Sequence, residues 1–262
     1  MLGRNLRAIW TVFRFESVRS LTPARLAVWM LLTAFPPSLI ALNQSQEAEL
    51  QRDGRAAVAL FILIPELVNL MSLLLAAAPV LYAELEGKTW TYLAISPAGK
   101  GAILLGKYFA AVSFTILAAW TSLAICLWIV WPEQDGWRVA WVLAALVPLA
   151  CLVYGAVFVF LGVVFLRRAM VAAVTYTFIS EILIGFIPAL INQLTVQYHL
   201  RNLLAKWIGW DTVAVSLRMN QQFFSASPPW EHVAVLLGAT AVFLAFSIAV
   251  LRRRELALSD RT

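Results

Sequence analysis

Three stretches of this chain, Ala56–Leu81, Ala102–Trp131 and Trp137–Leu166, each run for more than twenty residues with a single charged side chain apiece. A helix needs about 20 mostly apolar residues to cross the hydrocarbon core of a bilayer. In lipid the backbone must satisfy its own hydrogen bonds, so such runs become helices packed on other helices. Composition agrees: 62% of residues are hydrophobic, 13% are charged and the mean hydropathy is +0.82. A water-soluble domain with that balance would expose much of its apolar surface. The expected fold class is therefore an all-α, polytopic membrane protein in one domain, residues 1–262.

Six spans are expected, at Leu26–Leu42, Ala56–Leu81, Ala102–Trp131, Trp137–Leu166, Ala169–Ile191 and Val233–Leu251. Before them, residues 2–21 set Leu2, Leu6, Ile9, Trp10 and Phe13 on one helical face and Arg4, Arg7, Arg14 and Arg19 largely on the other. That pattern suits an amphipathic helix lying in the membrane interface. Between the last two spans, residues 192–231 are too polar to cross and too apolar for a plain loop. Leu200, Leu203, Leu204, Trp207 and Ile208 share one helical face there, which predicts short interfacial or re-entrant helices. Of the twenty Lys and Arg residues, fourteen fall on one side of this topology and six on the other. The positive-inside rule then puts both termini in the cytoplasm. It also accounts for the net charge of +6 without nucleic acid, since the basic residues gather at span ends.

Several motifs are weaker than they look. Gly101–Lys107 matches the spacing of a phosphate-binding loop, but Tyr108 stands where a magnesium-holding Ser or Thr belongs. Its intervening residues are Ala-Ile-Leu-Leu, entering a membrane helix, so no nucleotide is expected here. Cys126 and Cys151 lie inside apolar runs, and His199 and His232 lack ligand spacing; no metal is expected. Glu66 and Glu181 are different. A carboxylate inside a span is expensive, so it faces a partner or a wet cavity. Asn69, one turn beyond Glu66, is a candidate partner. These three residues form a candidate pathway set, against the plainer alternative of hydrogen-bonded core groups.

The long polar interruption Tyr82–Tyr108 reads Y-A-E-L-E-G-K-T-W-T-Y-L-A-I-S-P-A-G-K-G-A-I-L-L-G-K-Y. Its mixed charge and aromatic anchors, Glu84, Glu86, Lys88, Thr89, Trp90 and Tyr92, suit an interface that forms and re-forms. The phrase E-L-E-G-K-T-W-T-Y-L-x-x-S-P-x-x-K, followed by L-L-G-K-Y, resembles the integral-membrane subunits of type-2 ABC exporters. The layout is also similar: a basic amphipathic elbow helix, six spans, cytoplasmic termini and short outer helices before the last span. The resemblance implies that residues 82–108 form a coupling loop docking on a separate soluble ABC ATPase. Glu84, Glu86, Gly87, Lys88, Thr89, Trp90, Ser96, Pro97 and Lys100 would carry that contact. It further implies a homodimer served by two ATPase subunits that hold ATP and magnesium, in a bacterial inner membrane. This chain would then be a transport subunit rather than an enzyme.

The rival expectation is a proton-coupled secondary transporter using Glu66 or Glu181. No inverted repeat is visible between the first three spans and the last three. A membrane-embedded enzyme lacks any usable cluster of catalytic side chains.

Overall fold

The computed structural model describes residues 2–42, 55–86, 99–132, 135–184, 193–209 and 227–253. Among them there is no strand; every regular element is helical. The chain runs through α1 (Leu2–Arg19), α2 (Pro23–Leu42), α3 (Arg55–Phe61), a π-helical stretch (Ile62–Val68) and α4 (Asn69–Ala76). After a turn come α5 (Tyr82–Glu86), α6 (Gly99–Ile129), α7 (Gly136–Val164) and a 3-10 turn (Leu166–Arg168). Then follow α8 (Ala169–Tyr176), a second π-helical stretch (Thr177–Ile184), α9 (Val196–Ile208) and α10 (Pro229–Arg253).

Five of these helices are long and apolar enough to cross a membrane: Pro23–Leu42, Ala56–Ala76, Gly99–Ile129, Gly136–Val164 and Pro229–Arg253. The expected span at 169–191 is helical from Ala169 to Ile184, and its remainder lies outside the described residues. The second span ends five residues earlier than expected, at Ala76, and Pro79 lies in the turn that follows. Proline lacks the N–H that would continue the helix.

α7 is the centre of the bundle. Within its apolar window 72% of residues are buried, against 17% for both α2 and α10, so those two helices line the outside. α7 packs on α4, α6, α8, α9 and α10. Two features let so apolar a helix sit there. Gly162 meets the carbonyl of Ala78 where any Cβ would clash, so the turn after α4 closes directly on α7. Pro148 cannot bond the carbonyl of Ala144 four residues back, and the Trp120 indole of α6 donates to that oxygen instead, at 3.0 Å. A neighbouring helix thus satisfies the backbone group that the proline frees.

The two ends of the bundle differ in chemistry. One gathers α1, the starts of α2 and α6, and the ends of α7 and α10, with Arg19, Arg25, Arg167, Arg168, Arg252 and Arg253. At the other, Trp128, Trp131, Trp137, Trp141 and Trp230 are exposed. Tryptophan favours the boundary between lipid and water, where its ring is in hydrocarbon and its N–H is wet.

α1 packs along α6. The contact depends on Gly106, because a Cβ there would meet the Val12 side chain at 2.7 Å and the Ile9 carbonyl at 2.9 Å. Leu6 and Trp10 remain exposed on the far side, as expected of a helix with a second apolar environment.

Candidate functional site

Two clusters of charge are buried in this apolar protein, and each contains residues singled out in the sequence. The first lies at the Arg-rich end. Glu84 of α5 is buried; its carboxylate accepts from Arg19 of α1 at 2.5 Å and from Lys107 of α6 at 2.8 Å. Lys107 also donates to Glu16 of α1. Arg19 lies 3.7 Å from Glu16, which closes the group. Among the described residues, four side chains from three helices thus form a quartet, two acids with two bases. Gly106-Lys107, the last two letters of the misleading phosphate-loop pattern, have their explanation here. The glycine admits α1, and the lysine pairs with the acids that α1 and α5 bring.

Glu86, two residues after Glu84, is exposed at the end of α5. Gly87, Lys88, Thr89, Trp90, Ser96 and Pro97 lie outside the described residues. Lys100 is half-buried in the first turn of α6. Glu84 is therefore an anchor at the root of the loop, whereas Glu86 faces outward.

The second cluster lies within the bundle. Glu66 and Glu181 are both buried, and each sits in a π-helical stretch. Pro65 explains the first stretch: its ring would clash in an α-helical turn, and the wider register relieves the clash. In the second, the hydroxyls of Thr177 and Ser180 donate to the carbonyls of Ala173 and Tyr176, competing for main-chain acceptors. Stretches of this kind occur often at functional sites.

Arg201 of α9 donates from Nε to Glu66 at 3.4 Å, with the Gln197 side chain beside it. Glu181 accepts from the Tyr154 hydroxyl at 3.0 Å, lies 3.4 Å from the Ser180 hydroxyl and is within electrostatic reach of Glu66. Glu66 is thus paired with a guanidinium, while Glu181 is held by hydroxyl groups. Asn69 is buried too, but it donates to the carbonyl of Val147 at 3.3 Å instead of to Glu66. The wider π turn carries position 69 off the face that position 66 occupies. An arrangement like this can bind a cationic group or hold a proton between two acids. Among the described residues no group of three or more His, Cys, Asp or Glu could hold a metal ion.

Arg201, Tyr154 and Gln197 are the members that sequence inspection did not find. Arg201 counts as an ordinary loop base until α9 is seen to fold inward. That helix is capped by Thr195, whose hydroxyl oxygen accepts from the Tyr198 amide at 3.2 Å. Its buried face includes Leu200, Leu203, Leu204 and Ile208, the stripe expected from spacing.

α9 is fastened at the Trp-rich end by a chain of polar contacts. Gln193 offers a carbonyl 3.0 Å from His199 Nε2, so that nitrogen carries the proton. His199 Nδ1 is then the acceptor, 2.9 Å from His232 Nδ1, which donates. His232 Nε2 in turn accepts from Lys206 at 3.2 Å. Both rings are neutral in this network. Burial holds His199 below its ordinary value, opposed by the Gln193 carbonyl, and burial likewise lowers Lys206, opposed by Glu231. The two histidines, far apart in sequence, are partners in space.

Comparison with known protein families and with characterised proteins yields no match to this chain.

Proposed function

We propose that this chain is the membrane-spanning permease subunit of an ATP-binding-cassette exporter, with ATP and magnesium held by a separate soluble ATPase. The observation that carries the proposal is the position of Glu84. It ends the second-span hairpin immediately before the docking loop, and it is tied to α1 through Arg19 and to α6 through Lys107. A push on the loop by a partner would therefore move α1 and the third span together, with no slack in water-filled space. Two ATPase subunits closing on each other would drive this motion in two permease copies. The Arg-rich end faces the cytoplasm in this reading, in a bacterial inner membrane, and α1 is the interfacial elbow helix.

Homodimerisation through the first and fifth spans follows from their open faces. Phe35 on α2 and Phe178 on the 169–184 segment are about half exposed. Single cysteines at Phe35 and Phe178 should crosslink between copies in membranes.

The docking surface is tested with Glu86→Lys, because Glu86 is exposed and its loss leaves the buried quartet intact. The reversal should weaken capture of the ATPase about tenfold at unchanged permease abundance. Normal capture together with normal transport would remove the loop from the coupling role.

A second reading, a proton-coupled transporter, is favoured by one observation: two buried carboxylates, Glu66 beside Arg201 and Glu181 beside Tyr154, lie within electrostatic reach of each other inside the bundle. It predicts transport that follows a proton gradient without ATP.

A further inference from the structure

A cavity of about 340 Å³ opens between α1, α2, α4 and α6 at the Arg-rich end. That volume is within the range of small-molecule sites. Its walls are stripes along parallel helices. Arg25, Val28 and Leu32 of α2 face Lys107, Ala111 and Phe114 of α6, and spacings of three and four residues place each set in one line. Both helices enter at the basic end, so each stripe starts with a cation and continues apolar. From Arg25 to Leu32 the slot runs about 10 Å at 1.5 Å per residue. The far wall adds Ser72, which is 1% exposed and whose hydroxyl has no hydrogen-bond partner among the described residues.

Charge at the mouth is unequal. Glu16, Arg19, Glu84 and Lys107 cancel one another in the quartet, whereas Arg25, exposed at the start of α2, has no acidic partner among the described residues. A slot with a surplus cation at its rim and a largely apolar lining is complementary to an acyl chain ending in an anionic group. In a chain with five helices long enough to span a bilayer, the available molecule of that kind is an anionic phospholipid.

The geometry points to a resident anionic phospholipid. Its acyl chain lies between α2 and α6, its phosphate is at Arg25, and it fills the joint between the N-terminal helix and the bundle. This site is separate from the Glu66–Glu181 cluster and does not depend on which substrate the protein moves. It would make the seating of α1 and α5, and so of the Glu84 anchor, sensitive to lipid composition.

Native mass spectrometry of the protein in mild detergent tests this, with phosphatidylglycerol and phosphatidylethanolamine added as probes. The expected result is one tightly held phosphatidylglycerol per chain, retained under activation that strips phosphatidylethanolamine. Arg25→Gln should weaken that retention about fivefold, the worth of one basic group facing anionic lipid. Ala111→Leu should abolish the tightly held lipid by filling the slot, and Arg167→Gln, at the same end but outside the slot, should leave it unchanged. Equal retention of both lipids would overturn the assignment, as would wild-type retention in Arg25→Gln or equal losses in Arg25→Gln and Arg167→Gln. Should Ala111→Leu fail to fold, Arg25→Gln and Arg167→Gln decide the matter.

Discussion

The two buried charge clusters are built on opposite principles. In the quartet at the Arg-rich end two acids meet two bases, contacts reach 2.5 and 2.8 Å, and three helices are joined. In the cluster within the bundle Glu66 alone pairs with Arg201, at 3.4 Å, and the remaining partners of the two acids are neutral hydroxyl and amide groups. Desolvated charges are costly unless fully paired. The quartet is fully paired, so it can act as a rigid joint. Among its described residues the inner cluster has two acids and one base, so it can gain something, either a proton or a cationic ligand group. In the proposed function, the first region would transmit motion and the second would respond to what passes.

The largest effect should come from breaking the joint. Lys107→Met leaves two buried acids, Glu16 and Glu84, to be balanced by Arg19 and should cost about 3–5 kcal/mol. The readout is yield and thermal stability of detergent-solubilised protein. Adding Glu16→Gln to that variant should recover most of the loss, because Glu84 then keeps Arg19 as its partner. Survival of Lys107→Met at wild-type stability would show that the quartet is not a joint.

Next in size is the inner cluster. Arg201→Gln should destabilise by about 1–3 kcal/mol by removing the base that pairs with Glu66. Glu66→Gln in the same chain should restore part of it, with a coupling energy of about 0.5–3 kcal/mol in a double-mutant cycle. Glu181→Gln should alter transport at unchanged protein level. Unaltered transport there would make the inner cluster structural and erase the contrast with the quartet.

The smallest effect concerns the histidine chain that holds α9. Because burial depresses His199 in the folded state, the unfolded chain binds more protons below its ordinary value of 6.5. The contribution of the neutral pair is therefore complete above about pH 6.5 and is lost as pH falls, since a protonated His199 would turn a second donor toward His232. One group contributes at most about 1.4 kcal/mol per pH unit. Thermal stability should drop from pH 7.5 to 5.5 in wild type and drop less in His199→Gln.

The helical class and the placement of most spans could be read from apolar run length alone, as could the buried face of α9. What could not be read was partnership across the bundle. Glu66 and Glu181 stand out because any acid in a span does, but nothing in the sequence marks Arg201 as the base that reaches Glu66. The same is true of Glu84. Its neighbours suggest a solvated loop, while Gly106 and the inward face of α1, which bury it, are about twenty and seventy residues away. Pairing of His199 with His232 was likewise invisible, since helix packing creates it rather than spacing. Side chains that meet through tertiary contact leave no local period to detect.

The central claim is that an ATPase moves this bundle through the Glu84 joint. Affinity purification of the tagged chain from its native membranes in mild detergent tests it most directly, with ATP hydrolysis assayed in the eluate. The account predicts a soluble ATPase in equal stoichiometry, lost on high-salt washing together with the hydrolysis and weakened by Glu86→Lys. A chain that purifies without nucleotide-hydrolysing activity, yet transports in vesicles on a proton gradient alone, would contradict it.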